Sequence, residues 1–142
     1  MRKTIVILVT IILFLLGECS NQKVIRYDYT YKGENESWTA EYRVNGTSAF
    51  IEKDNKTSYE ENGSIILTVT YKNDISDLSS VKHLEIACKG RKEVYDLDDN
   101  DQLNQKTFIL KSSGVGAIGD KDEIIDVNIN VNGKTQTIEL KK

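Results

Sequence analysis

Apolar and polar side chains alternate with a period of two over much of this chain, and the clearest stretch is the last. Ile125, Val127, Ile129 and Val131 alternate with Asp126, Asn128 and Asn130. Asn132-Gly133 follows, and then a second alternating run from Lys134 to Leu140. A period of two places alternate side chains on opposite faces of a strand. Asn-Gly between two such runs predicts a hairpin with a type I′ turn, because both central residues need positive φ. A two-residue loop sets Val131 opposite Lys134, Ile129 opposite Gln136, Val127 opposite Ile138 and Ile125 opposite Leu140. The apolar residues of both strands then share one face, so turn and pattern agree on the register.

The same reasoning predicts a hairpin about Asn45-Gly46. Trp38, Ala40, Tyr42 and Val44 alternate with polar neighbours before it, and the turn would set Tyr42 opposite Ala49 and Ala40 opposite Ile51. A third Asn-Gly, at Asn62-Gly63, leads into Ile65, Leu67, Val69 and Tyr71. The polar run Lys56–Glu60 before it reads as a short exposed edge strand, blunted by charge. Further strands are predicted at Lys23–Tyr31, Lys82–Lys89, Lys92–Leu97 and Lys106–Ser112. One helical turn is predicted at Asp74–Leu78, capped by Asp74 with Asp77 at the third position. About ten short strands and no long amphipathic helix predict an all-β, antiparallel β-sandwich, Ig-like or with an open barrel as the alternative.

The N-terminus breaks this pattern. Arg2 and Lys3 precede an uninterrupted apolar run of 13 residues, Thr4–Leu16. As a helix this run would span about 20 Å, short of the roughly 30 Å hydrocarbon core. A basic start, a short apolar run and then small or polar residues are the layout of a secretory signal. The division predicted is therefore a signal peptide at 1–18, a short tether at 19–22 and a single β-sandwich domain at 23–142. Ordinary signal-peptide removal and an uncleaved anchor are the alternatives, the former giving a secreted protein.

Charge narrows the partners. The chain carries 19 Lys+Arg against 22 Asp+Glu. Removing Arg2, Lys3 and Glu18 with the signal leaves 17 against 21, a net charge of −4. A mildly acidic surface argues against nucleic acid, whose binding draws on clustered cations. There are two cysteines, Cys19 and Cys88. Cys88 is in phase with Leu84 and Ile86 and reads as a buried core thiol. A disulfide between them would tie the N-terminus to a core position.

Few residues suggest chemistry. Asp96, Asp98, Asn100 and Asp101 put oxygens at alternate positions, as a calcium loop does. Asp101 stands where an EF-hand needs its turn glycine, and Thr107 where it needs its bidentate Glu, so a solvated acidic turn competes with a calcium site. Gly114–Gly119 has GxGxxG spacing, but a strand and not a helix follows, which removes the dinucleotide mechanism. His83 is the single histidine; its strand phase points it to solvent, and no nucleophile motif accompanies it. No catalytic residue is assigned. Tyr27, Tyr29 and Tyr31 form a stripe that either stacks on a partner or belongs to one face of the core. Sequons at Asn35, Asn45, Asn55 and Asn62 read as turn chemistry.

Leu16-Gly17-Glu18-Cys19 resembles a lipobox, with Glu18 standing where such sites usually carry Gly or Ala. Together with Glu36–Thr47, Leu67–Tyr71 and the C-terminal Asn132-Gly133 hairpin, it gives the chain a resemblance to small cell-surface lipoproteins of Firmicutes. The resemblance implies a lipid on Cys19 and a place at the outer face of the cytoplasmic membrane of a Gram-positive cell. It supplies no functional residues. The expected role is a non-enzymatic binding module that contacts a cell-surface protein or a wall polymer through strand edges and loops. An extracytoplasmic enzyme or calcium-dependent domain using loop 96–101 is the alternative.

Overall fold

A computed structural model describes residues 22–53, 56–114 and 121–142. Cys19, the predicted signal peptide, Asn55 and Val115–Gly119 of the glycine run lie outside the described residues. Eight strands follow in order: β1 (Gln22–Glu34), β2 (Trp38–Lys53), β3 (Lys56–Tyr71), β4 (His83–Cys88), β5 (Arg91–Asp96), β6 (Thr107–Gly114), β7 (Ile125–Val131) and β8 (Lys134–Leu140). They form two four-stranded antiparallel sheets, ordered β1-β2-β3-β6 and β5-β4-β7-β8, the expected β-sandwich.

The β7–β8 hairpin has the register predicted from its turn, from Ile125 opposite Leu140 to Val131 opposite Lys134. Asn132 and Gly133 take φ of 50° and 85°, as a type I′ turn requires. The Asn132 side chain adds longer-range bonds. Its Oδ1 accepts from the backbone N–H of Lys82 and of His83 (2.8 and 3.0 Å), and its Nδ2 donates to the Ser80 carbonyl.

The two other Asn-Gly hairpins are not formed. β2 runs through Asn45-Gly46 and β3 through Asn62-Gly63, each strand 16 residues long, with only residues 54 and 55 between them. Among the described residues, positive φ falls at Lys89, Gly90, Gly114, Asn132 and Gly133, and at neither of these dipeptides. Tyr42 and Ala49, and Ala40 and Ile51, are therefore residues of one strand and not cross-strand partners. One long hairpin keeps the ladder that two tight turns would interrupt. Gly63 pairs with Gly114 of β6, and Asn45, Gly46, Asn62 and Gly63 border one shallow depression on neighbouring strands. Glycine within a strand does not by itself mark a turn. Lys56–Glu60 is not a separate edge strand but the exposed first part of β3.

The helical turn forms as a 3-10 helix at Ile75–Leu78. Asp74 takes the N-cap position but makes no side-chain cap bond; only its carbonyl accepts, from Asp77 N–H. Four residues offer few orphan amides to cap, and burial of Leu78 holds the turn in place.

The described residues fall into two compact units. The larger comprises Arg26–Thr47 and Glu61–Lys142. Its core takes Trp38, Tyr42, Leu67 and Val69 from one sheet and Leu84, Ile86, Val127, Ile129 and Ile138 from the other. Tyr95 and Phe108 meet across the sheets with ring centroids 5.2 Å apart. Each fully buried side chain of this size contributes roughly 1.5–3 kcal/mol. At one corner β1 reaches β8 through a bridge between Lys32 and Lys141. Gly33 makes that approach possible, since a Cβ there would lie 2.3 Å from the Glu139 carbonyl oxygen. The smaller unit comprises the residues up to Ile25 together with Ser48–Glu60. In it Ser48 and Ala49 are buried, whereas Val24, Phe50 and Tyr59 are exposed.

Candidate functional site

The tyrosine stripe is laid edge to face along β1. Tyr27 and Tyr29 have centroids 5.9 Å apart, Tyr29 and Tyr31 6.5 Å, and Tyr31 and Tyr42 of β2 6.2 Å. Exposure grades along it. Tyr31 is core, at 2% exposed, while Tyr27 and Tyr29 are half-buried. The Lys142 ammonium sits 4.5 Å from the Tyr29 ring centroid. Tyr31 is thus withdrawn from the surface, and the stripe flanks the core instead of standing clear of it. Trp38 is core as well, packed on Tyr71 and Phe108.

Asp96 ends β5, and its Oδ1 lies 2.6 Å from His83 Nδ1 on β4. Asp98 uses its carbonyl, accepting from Lys82 Nζ at 3.0 Å and from the Asp101 N–H. Lys82 also pairs with Asp99 at 3.7 Å. Asn100 and Asp101 are exposed. Among the described residues no three His, Cys, Asp or Glu side chains group closely enough to hold a metal ion.

The His83–Asp96 pair was not foreseen, although the sequence contains its signal. The β4–β5 loop has two residues, Lys89 and Gly90, both at positive φ. That loop pairs Cys88 with Arg91 and, counted back, His83 with Asp96. His83 is partly exposed, in accord with its strand phase.

Between the sheets, Tyr42, Cys88 and Arg91 line a cavity of about 20 Å³, room for one water-sized group. Cys88 is a free, buried thiol, in phase with Leu84 and Ile86 as expected. Burial pushes its pKa up to about 11, with Lys89 and Arg91 opposing. Such a thiol is a poor nucleophile. The Tyr42 hydroxyl is buried without a hydrogen-bond partner among the described residues. Burial raises its pKa to about 12, Cys88 adds to the shift, and the Arg91 guanidinium opposes it.

The larger unit carries an open groove of about 500 Å³ on the outer face of the β1-β2-β3-β6 sheet. The alternation that buries Ala40, Tyr42, Leu67 and Val69 turns Thr39, Glu41, Thr68 and Thr70 outward into it. Lys32 and Glu34 of β1 form its rim, with Lys32 Nζ 3.2 Å from Glu41 and Glu34 3.2 Å from Lys72 Nζ. Thr70 Oγ1 lies 3.1 Å from Thr107 Oγ1 on β6. The groove therefore offers hydroxyls, which both donate and accept, beside charges of both signs. No aromatic side chain lines it. Reading the sequence did not single these threonines out, because outward positions of a strand look alike until the neighbouring strands are known.

The class defined by this architecture is an antiparallel β-sandwich with an open polar groove on one sheet. Compared with known proteins, the chain matches no family model, no curated sequence and no solved structure.

Proposed function

We propose that this chain is a lipid-anchored extracytoplasmic binding module. Lipid on Cys19 holds it at the outer face of the cytoplasmic membrane of a Gram-positive cell. There the groove on the β1-β2-β3-β6 sheet takes a hydroxyl-rich wall polymer. The observation that carries the binding half is the lining of that groove: Thr39, Thr68 and Thr70 beside the Lys32–Glu41 pair. The core of a protein-binding patch is usually apolar and rich in aromatics, which this groove is not. A polar polymer meets hydroxyls and paired charges without leaving a buried apolar face uncovered. The anchoring half is supported by Arg2, Lys3, the short apolar run and the lipobox-like Leu16–Cys19.

The test is cosedimentation with purified, protein-free cell walls. The unsubstituted protein pellets with them. Thr68→Val and Thr70→Val are isosteric and strand-compatible, and each removes a hydroxyl without opening a cavity. Each lost hydrogen bond is expected to weaken binding about fivefold, from roughly 1 kcal/mol per bond. Wild-type protein left in the supernatant, or both variants binding as wild type does, would contradict the groove assignment.

A further inference from the structure

We infer that the smaller unit is a second, non-covalent membrane contact, in which Phe50 and Tyr59 dip into the headgroup region of the bilayer that holds the Cys19 lipid. The inference rests on the lipid anchor proposed above. Phe50 on β2 and Tyr59 on β3 pack ring to ring, with centroids 5.0 Å apart. Both stay open to solvent, at 44% and 52% exposure. An aromatic pair on a strand hairpin has an apolar body, and Tyr59 adds a polar tip. Such side chains settle at the water–lipid boundary.

Two observations point to the bilayer as the occupant. The first is distance along the chain. β1 begins at Gln22, in the smaller unit. Two residues, Ser20 and Asn21, separate it from Cys19, three Cα steps or a reach of roughly 10 Å even when fully extended. A lipid on Cys19 therefore keeps this unit at the membrane surface and supplies a high local concentration for a weak contact. The second is charge. Of the 17 basic and 21 acidic residues beyond the signal, the smaller unit holds Lys23, Lys53 and Lys56 against Glu52, Asp54 and Glu60. It is neutral, and the whole −4 falls on the larger unit. Against an anionic bilayer the smaller unit is the part that is not repelled.

The test uses the full chain purified from membranes and reconstituted into phosphatidylglycerol–phosphatidylethanolamine vesicles that contain brominated lipid. Phe50→Trp and Tyr59→Trp report depth, and Ile109→Trp on the larger unit is the control. Native Trp38, 1% exposed, supplies a constant background. The expected result is loss of emission at positions 50 and 59 and unchanged emission at 109; either of the two variants suffices if the other does not fold. Intact mass of the same sample separates the readings. Unquenched emission at 50 and 59 with the lipid present in the mass overturns the membrane contact and leaves the anchor standing. A mass without lipid overturns the anchor, and the contact with it, since the contact draws its local concentration from the tether.

Discussion

Cys88 and Tyr42 show how burial settles what a reactive-looking group does. The period-two pattern placed Cys88 inward, and the structure buries it beside the Tyr42 hydroxyl. Both groups, together with Tyr95, titrate above their ordinary values: Cys88 rises from 9.0 to about 11, and the two tyrosines from 10.0 to about 12. For Tyr95 burial is the main cause, and a 2.7 Å hydrogen bond to Glu93 adds to it. A raised pKa on an acid means that the unfolded chain loses its proton first. The stability tied to these groups is therefore complete below about pH 9 and is lost as pH climbs through about 11 to 12. Urea midpoints should fall from about pH 8 to about pH 10, and Cys88→Ala should flatten the early part of that fall. A wild-type midpoint that holds or rises over this range would contradict the assignment of the buried thiol.

Among the elements, the three Asn-Gly dipeptides separate what was legible from what was not. Asn132-Gly133 turns because its two strands alternate cleanly on both sides and because the Asn132 side chain ties down the Ser80–His83 segment. Asn45-Gly46 and Asn62-Gly63 carry the same local signal and stay in strands. A turn motif is read within four residues, whereas β2 and β3 are neighbours in one sheet and stay extended through both dipeptides. Asn132→Ala should therefore cost roughly 2 kcal/mol, through lost side-chain bonds and a strained φ. Asn45→Ala should stay within about 0.5 kcal/mol of wild type. Denaturant melts of the two variants check this, and equal losses would argue that Asn45-Gly46 turns after all. Six of the eight strands follow from alternation alone. The groove could not be read from the sequence, because it is built from outward positions of adjacent strands, and alternation says only that such positions are polar.

For the whole molecule, the proposed role of the polar groove requires that the sandwich be held where the proposed polymer is. The net charge of −4 that removal of residues 1–18 would leave, and the short span between Cys19 and β1, fit the proposal of a domain kept close to a membrane by a tether and not by cationic attraction. The proposed placement of the groove at the wall and of the aromatic pair at the bilayer both depend on one proposed covalent event at Cys19. Intact mass of the protein extracted from native membranes tests it most directly. The expected chain begins at Cys19 and carries a diacylglycerol. A chain of unmodified mass, whether it begins at Met1 or after an ordinary signal-peptide cut, would contradict it.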